Sequence, residues 1–391
     1  MMFPCILCAD FSPLGRIDYS LMTQQALMEL LVADSESSYF RDSDGNFKDI
    51  EDWEFVKLNE NKEVVGIDWS SSVHHFLELR WLPSTVRRLG LDSCKLHCVF
   101  EAYDMPSDAE KINIDYNMLT GRVKTLDLPK GLVWLSLSRN QLTGTIDLSV
   151  LPLKLIILHL RENKFNGTLC FTHLPESIEE IDLSSNFFDG KINIVKSHAN
   201  LKKLWLKRNK LVGFHWSFIP HFSEKIYLGT NKLYGSLDLR QIPQSVVHLY
   251  LQHNEYSGSL HVSDLPAELE YFQAFCNNFS GSLDLCHLPT ALRVLMLSYN
   301  GFSGSINLRN LPESLTGLHL DNNSFSGAID IRFLPASMEN FSVENNKFRQ
   351  EVLNLPRIMG SIIYLDIRGN DIRRCVDFKG NEIHSYKLFM D

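Results

Sequence analysis

Trp205, Tyr227 and Tyr250 recur at intervals of 22 and 23 residues. Lys203, Lys207, Lys225, His248, Tyr271, Phe275 and Met296 fall at the same intervals or two residues to either side. Ring faces, a cationic rim and a thioether are suited to non-covalent recognition: stacking, cation–π contact and burial of apolar area against a partner. Groups that make or break bonds are not assembled in this way. Cys5-x-x-Cys8 is one pair with no second pair at zinc-ligand spacing. Asp42-Ser43-Asp44-Gly45-Asn46 opens like a calcium loop, but Phe47 stands where glycine is required and Trp53 where glutamate is, so an acidic surface turn is expected. His159, His248 and His319 are too far apart in the repeating pattern to share a metal or to form a catalytic group with a cysteine. No phosphate loop, nucleophile elbow or dinucleotide fingerprint occurs. The expectation is a protein that is not an enzyme, with no cofactor and no bound metal.

What must position these residues is a period. Asn117, Asn140, Asn163, Asn186, Asn209, Asn231, Asn254, Asn277, Asn300, Asn323, Asn346 and Asn370 follow one another in steps of 23, with one step of 22 (Asn209 to Asn231) and one of 24 (Asn346 to Asn370). Each closes a pattern of the kind Leu132, Leu135, Leu137, Asn140. A short amide carries both a donor and an acceptor, so it suits a turn whose backbone groups are shut away from water. Cys94 stands one period before Asn117, and Ser71 one period before that. Two residues after each asparagine, from Leu119 to Phe348, comes a large apolar side chain, expected to form a stacked spine. Four residues after comes glycine, ten times running from Gly121 to Gly327. An apolar pair with aspartate between, Leu237-Asp238-Leu239 or Ile329-Asp330-Ile331, alternates with period two and predicts a second short strand there. Leu-Pro or Ile-Pro then returns the chain to the next coil, as in Leu151-Pro152 and Ile242-Pro243.

This spacing, with Phe279-Ser-Gly-Ser-Leu-Asp-Leu285 and a close copy from Phe302 to Leu308, resembles the plant-type class of leucine-rich repeats. The Leu-Pro-x-x-Leu phrasing is similar also to bacterial effector repeats, which are generally shorter. The resemblance covers roughly residues 60 to 375. It implies an α/β solenoid, mostly β: a curved leucine-rich-repeat arc with a parallel inner sheet, short second strands on the return side and a helical N-terminal cap. It also implies a protein or peptide ligand on the concave face.

In a short parallel strand side chains alternate between core and open face, so the residues six, four and two before each asparagine face outward. Trp205, Tyr227 and Tyr250 then stand on adjacent strands about 4.8 Å apart. The candidate binding residues are Trp205, Lys207, Tyr227, Tyr250, Tyr271, Phe275 and Met296. Against ligand binding stands the alternative that the rings only stabilise the sheet as cross-strand pairs. Glycan binding, or a receptor-like ectodomain at the cell surface, is the second functional reading.

Residues 1–60 do not repeat and are read as an acidic, helical N-terminal cap region. Residues 61–375 are read as the repeats, about 13 units, and 376–391 as a C-terminal cap. A helix is expected from Asp18 to Leu31, with Ala26, Leu27, Leu30 and Leu31 on its buried side and Trp53 over the first strand. Twelve acidic residues against four basic ones give 1–60 −8 of the formal −9, so the remainder has 35 acidic and 34 basic residues. A near-neutral solenoid has no basic stripe for phosphates, which excludes nucleic acid. Around residues 190–220 the pattern loosens: His198 replaces the proline and one residue is missing between Gly213 and Pro220. This is either tolerated drift or a local change of curvature. No run of some twenty apolar residues could span a membrane, and the first twenty residues, with Asp10 and Arg16, lack a secretion-signal pattern. With eight irregularly spaced cysteines this predicts a cytoplasmic protein. The sequons at Asn166, Asn278, Asn322 and Asn340 favour the alternative, secretion or the cell surface.

Overall fold

The computed structural model describes residues 22–34, 38–71, 77–193, 200–216, 223–356, 361–383 and 388–389. Cys5, Cys8, the part of the expected cap helix before residue 22, His198, Pro220 and Tyr386 lie outside them. Each repeat forms one coil, and each coil gives one short strand, three residues long from Arg88–Gly90 onward, to a 16-stranded sheet. Neighbouring repeats pair in parallel and in step, so Leu204 faces Ile226, which faces Leu249, which faces Phe272. Parallel pairing runs from Val64–Asp68 to Tyr364–Asp366, and antiparallel partners, Val56–Leu58 and Leu388–Phe389, cover the two ends. Along His248–Tyr250 the alternation is plain: Leu249 is fully buried with Val246 and Leu251, while His248 and Tyr250 are half-buried on the open side.

The asparagine amides link one coil to the next. Nδ2 of Asn277 donates to Ala274 O (3.1 Å) in its own coil and to Leu251 O (3.0 Å) in the preceding one, and its Oδ1 accepts from Tyr256 N (3.1 Å). Tyr256 is a spine residue, so a single side chain ties the strand end, the previous strand end and the previous spine position together. The residue before each asparagine from Asn117 to Asn346 is left-handed, with φ between +53° and +57°, although none is glycine. Such a backbone costs a side-chain-bearing residue about 1–2 kcal/mol, and the amide bonds offset it. Behind the amides the spine rings stack: Tyr256, Phe279, Phe302, Phe325 and Phe348 have centroids 6.0, 6.2, 6.1 and 6.3 Å apart.

The second strands exist. In Lys164–Cys170, Phe187–Asn193 and Lys347–Asn354 they run on into the apolar pair as expected, through Leu169, Ile192 and Leu353, whereas in other repeats they stop at the glycine, as in Glu255–Gly258 and Asn278–Gly281. In Leu237-Asp238-Leu239 and Ile329-Asp330-Ile331 the chain instead enters 3-10 turns, Leu239–Gln241 and Ile331–Phe333. The aspartate is the reason: Asp238 accepts Arg240 N (3.2 Å) and Asp330 accepts Arg332 N (3.2 Å), capping a turn where alternation suggested a strand. Proline has a sharper role than was expected. Its carbonyl accepts the N–H three residues on, Pro243 from Val246 (3.1 Å) and Pro312 from Leu315 (3.0 Å), closing the turn into the next strand. A further ladder was not anticipated at all. In Pro-x-Ser, Ser177, Ser245 and Ser337 donate to carbonyls of the preceding coil, Leu155, Ser223 and Leu315, at 2.7 to 2.8 Å.

Two other expectations are corrected. Ser71 takes the left-handed place (φ +58°) that Ser93 takes in the next coil, one residue short of the asparagine position, because the first strands pair with an offset of 22: Ile67 faces Leu89. The cap helix is Gln24–Leu31, capped by Thr23, and it buries Met28 and Leu31 with Val32 following; Ala26, Leu27 and Leu30 are only half-buried. Trp53 packs against Phe40 (4.8 Å) and Trp69 (6.4 Å), closing the first coil. At the short repeat the return strands break into separate sheets, between Lys210–Phe214 and Tyr234–Ser236, and Gly213 alone of the ten glycines lacks a positive φ. The inner sheet passes unbroken, Leu204 facing Ile226, so the missing residue is absorbed wholly on the return side.

Replacing Asn277 with Ala leaves Leu251 O, Ala274 O and Tyr256 N without their partner. Urea denaturation should show a loss of about 1–3 kcal/mol. Ser282→Ala, at an exposed site on the return side, should stay within about 0.5 kcal/mol. Equal losses for the two variants would contradict the role given to the amide.

Candidate functional site

The open face of the sheet changes character along its length. In the first coils its polar side chains pair with one another. Ser136 Oγ donates to the Asp115 carboxylate (2.7 and 2.8 Å), Ser138 N donates to the same group (2.6 Å), and Asn113 Nδ2 donates to Asp92 (3.1 Å). Burial pushes the Asp115 carboxyl up in spite of those bonds. In the last coil Arg368 Nε donates to Asp366 (2.9 Å) and Tyr364 OH to the same carboxylate (2.9 Å). These groups at the two ends satisfy one another, whereas Trp134 Nε1, Arg161 Nε and Ser184 Oγ, at open-face positions of nearby coils, are buried without a hydrogen-bond partner among the described residues.

The middle is aromatic. The strands Lys203–Trp205, Lys225–Tyr227, His248–Tyr250 and Tyr271–Gln273 are adjacent and in register. Trp205 stacks on Tyr227, with centroids 5.8 Å apart and planes at 13°. Tyr227 meets Tyr250 edge-on at 4.6 Å, and His248 meets Tyr271 edge-on at 4.7 Å. His159 reaches Trp205 edge-on at 6.4 Å. Each such ring pair is worth about 0.5–1.5 kcal/mol beyond its buried area, so the rings hold one another in place as the cross-strand alternative anticipates. They are half-buried: neither fully exposed nor covered. Lys207 and Met296 share that half-burial; Met296 lies beside Gln273, one strand beyond Tyr271. Phe275 stands apart from the ring chain and packs edge-on against His253 at 5.1 Å.

The electrostatics follow from this packing. Tyr227 OH lies 3.1 Å from His248 Nδ1. Burial pushes the Tyr227 phenol up to about 12, with Tyr250 adding to the rise, and burial also raises Tyr250. Burial, with Lys225 alongside, lowers the His248 pKa below its usual 6.5. Lys203 pairs with Glu180. Among the described residues Lys207 and Lys225 have no carboxylate within ion-pair distance. Also among the described residues, no group of three or more His, Cys, Asp or Glu is placed to hold a metal, and no helix is long and apolar enough to cross a membrane.

A mostly-β solenoid of about 13 turns with a parallel sheet and little helix is the leucine-rich-repeat fold, and solved leucine-rich-repeat proteins are its structural neighbours. One is the plant peptide hormone receptor RGFR1 in complex with RGF2: 22% identity, TM-score 0.57, 71% of this chain and 52% of that chain covered. Another is the leucine-rich-repeat ectodomain of the Arabidopsis receptor kinase HAESA in complex with an N-terminally extended IDA peptide hormone ligand: 23% identity, TM-score 0.52, coverage 74% and 54%. A third is the functional domain of InlJ from Listeria monocytogenes: 18% identity, TM-score 0.50, 74% of each chain. The chain therefore spans about half the length of the two plant receptors. No family model matches the sequence, and the comparison with curated proteins finds no match.

Sequence reasoning missed how tightly Tyr227 and His248 are coupled, since strand register alone does not say which rings touch. A folded-state pKa below the unfolded value means that His248 favours the neutral form when folded. Its contribution to stability is present above about pH 6.5 and is lost as pH falls through the depressed folded value. NMR titration of the ring should give a midpoint below 6.5, with stability falling over the same acid window; a midpoint above 6.5 contradicts the burial of the ring.

Proposed function

We propose that this chain is a non-enzymatic recognition module that binds a protein or peptide on the concave face of its solenoid. Trp205, Lys207, Tyr227, Tyr250, Tyr271, Phe275 and Met296 form the contact surface. The observation that carries this reading is the contrast along the open face. Ser136 with Asp115 at one end and Asp366 with Tyr364 and Arg368 at the other pair with one another, while the central strands offer half-buried rings, a thioether and two lysines with no carboxylate partner among the described residues. Half-buried aromatics held rigid by their neighbours lose little entropy on binding, which is the character of an interface anchor. The rings lie at mixed angles, Trp205 flat on Tyr227 but Tyr250 and Tyr271 edge-on to their neighbours, so they present an uneven surface suited to peptide side chains more than the single flat platform a sugar ring needs. The plant neighbours, solved with peptide hormones, support the same class of ligand.

The same neighbours favour the secreted or cell-surface setting over the cytoplasmic one. We also take the repeats to be of the plant-type class, with residues 1–60 and 376–391 serving as covers for the two ends of the stack. Phe40, Trp53 and Trp69 packed over the first coil, and antiparallel pairing at the last strand, support that division.

Wild-type protein and a Trp205→Ala/Tyr250→Ala variant, immobilised in parallel and offered the same native extract, test the reading. The variant should lose the bound partner by tenfold or more, equivalent to about 1.4 kcal/mol. Retention of every partner would overturn the assignment of the surface.

A further inference from the structure

The open-face positions two residues before the asparagines run Lys207, Gly229, Gln252, Phe275, Ser298 and Asp321 on successive strands. Backbone bonds hold this row in step: the carbonyls of Gly229, Gln252, Phe275, Ser298 and Asp321 accept the N–H groups of Arg208, Thr230, His253, Cys276 and Tyr299 at 2.7 to 3.0 Å. Little rises from the sheet along its first half. Gly229 has no side chain and the Gln252 carboxamide lies over it, while Ser298 further on is buried. Beside the row runs a second one that carries Trp205, Tyr227, Tyr250 and Met296. Charge along this track is uneven. Residues 201–232 hold seven basic side chains and one acidic, while the rest of 61–391 has an acidic excess. Lys202 is taken by Glu179 and Lys203 by Glu180, which leaves Lys207 and Lys225 on the open face and Arg208 exposed on its rim. At the other end Asp321 is half-buried and accepts from Ser298 Oγ (2.5 Å) and Asn322 Nδ2 (2.9 Å). A carboxylate has about four acceptor sites, so room for a cation remains, and among the described residues no cation lies within ion-pair distance of it. The three coils between put no carboxylate, lysine or arginine on the open face.

We propose that the surface selects an extended peptide that is itself bipolar: a carboxylate side chain on Lys207 and Lys225, a lysine or arginine on Asp321, and apolar side chains between them on Tyr250, Phe275 and Met296. This rests on the open face being the recognition surface, and it adds the charge order and spacing of the ligand. Five strand steps of about 4.8 Å separate Lys207 from Asp321, about 24 Å in all. An extended chain advances about 3.3 Å per residue, so the opposite charges of the peptide stand about seven residues apart. The charges orient the peptide, and the rings supply most of the affinity. The same charge map disfavours a polyanion. A nucleic acid or sulfated glycan laid along the track meets Asp321 and then Glu344 on the next coil.

The test is a random peptide library displayed on phage and panned on the full chain. Recovered peptides should carry an acidic and a basic residue about seven positions apart. They should lose about tenfold or more in affinity on Trp205→Ala. Lys207→Gln and Asp321→Asn, which keep side-chain size, should each cost about three- to tenfold, and the loss should shrink in high salt. The same peptides are then remade with their acidic and basic residues exchanged. Wild type should bind the exchanged peptides about tenfold more weakly, and the reversed protein Lys207→Glu/Asp321→Lys should prefer them, the signature of direct charge pairing. Where the reversed protein does not fold, the two neutral variants decide the matter. Peptides that depend on Trp205 but are uniformly acidic, lack a recurring charge spacing or ignore both neutral substitutions overturn the bipolar ligand and leave the recognition surface standing. Peptides indifferent to Trp205→Ala, or recovery of none by wild type, overturn both.

Discussion

The asparagine amide is the interaction on which the rest of this molecule depends. A solenoid coil cannot bury its apolar face alone, so its stability is mostly its contact with the next coil. In each repeat from Asn117 onward one carboxamide makes that contact directional, as Asn277 does: it donates to its own strand end and to the preceding one, and it accepts from the preceding spine residue. The left-handed residue before each asparagine, the stacked rings behind it and the in-step strands before it are consequences of that one geometry. Hydrophobic burial supplies the larger energy. It is non-directional and would tolerate a slipped coil, which the amides do not.

Because the amides and leucines hold register without help from the outward positions, those positions are free to vary. On the outer coils several have become small networks of Ser, Asp, Asn and Arg bonded to one another. At the centre they have become rings at strand spacing, close enough to stack and too crowded to be fully exposed. Packing that rigid also shapes the electrostatics: the same crowding that holds Tyr227 against His248 raises the phenol and lowers the imidazole. Loss of one residue in the short repeat leaves this face undisturbed, because the return side takes up the change.

Periodicity made the strands, the spine and the outward rows legible, since all three follow from spacing alone. It placed the second strand rightly in coils such as Phe187–Asn193 but too far along in others, because alternation with period two describes an extended chain whether or not it is paired, and Asp238 caps a turn there. The hidden rungs from Ser177, Ser245 and Ser337 stand in the sequence as Pro-x-Ser, but nothing in that tripeptide says which carbonyl the hydroxyl meets. On the cap helix, eight residues are too few for a hydrophobic stripe to choose between Leu27 and Met28.

The amino-acid sequence by itself determined the approximate number of coils, their register from Cys94 onward and which residues point outward, because those depend on local period and on the chemistry of a recurring amide. Only the tertiary structure decided what the outward residues do to one another: that Trp205 lies flat on Tyr227 while Phe275 turns aside to His253, and that Gln252 drops into the space above Gly229. These are contacts between side chains some 22 residues apart in the chain. Their geometry is set by rotamers competing for the 4.8 Å between strands, and no pattern along the chain encodes that competition.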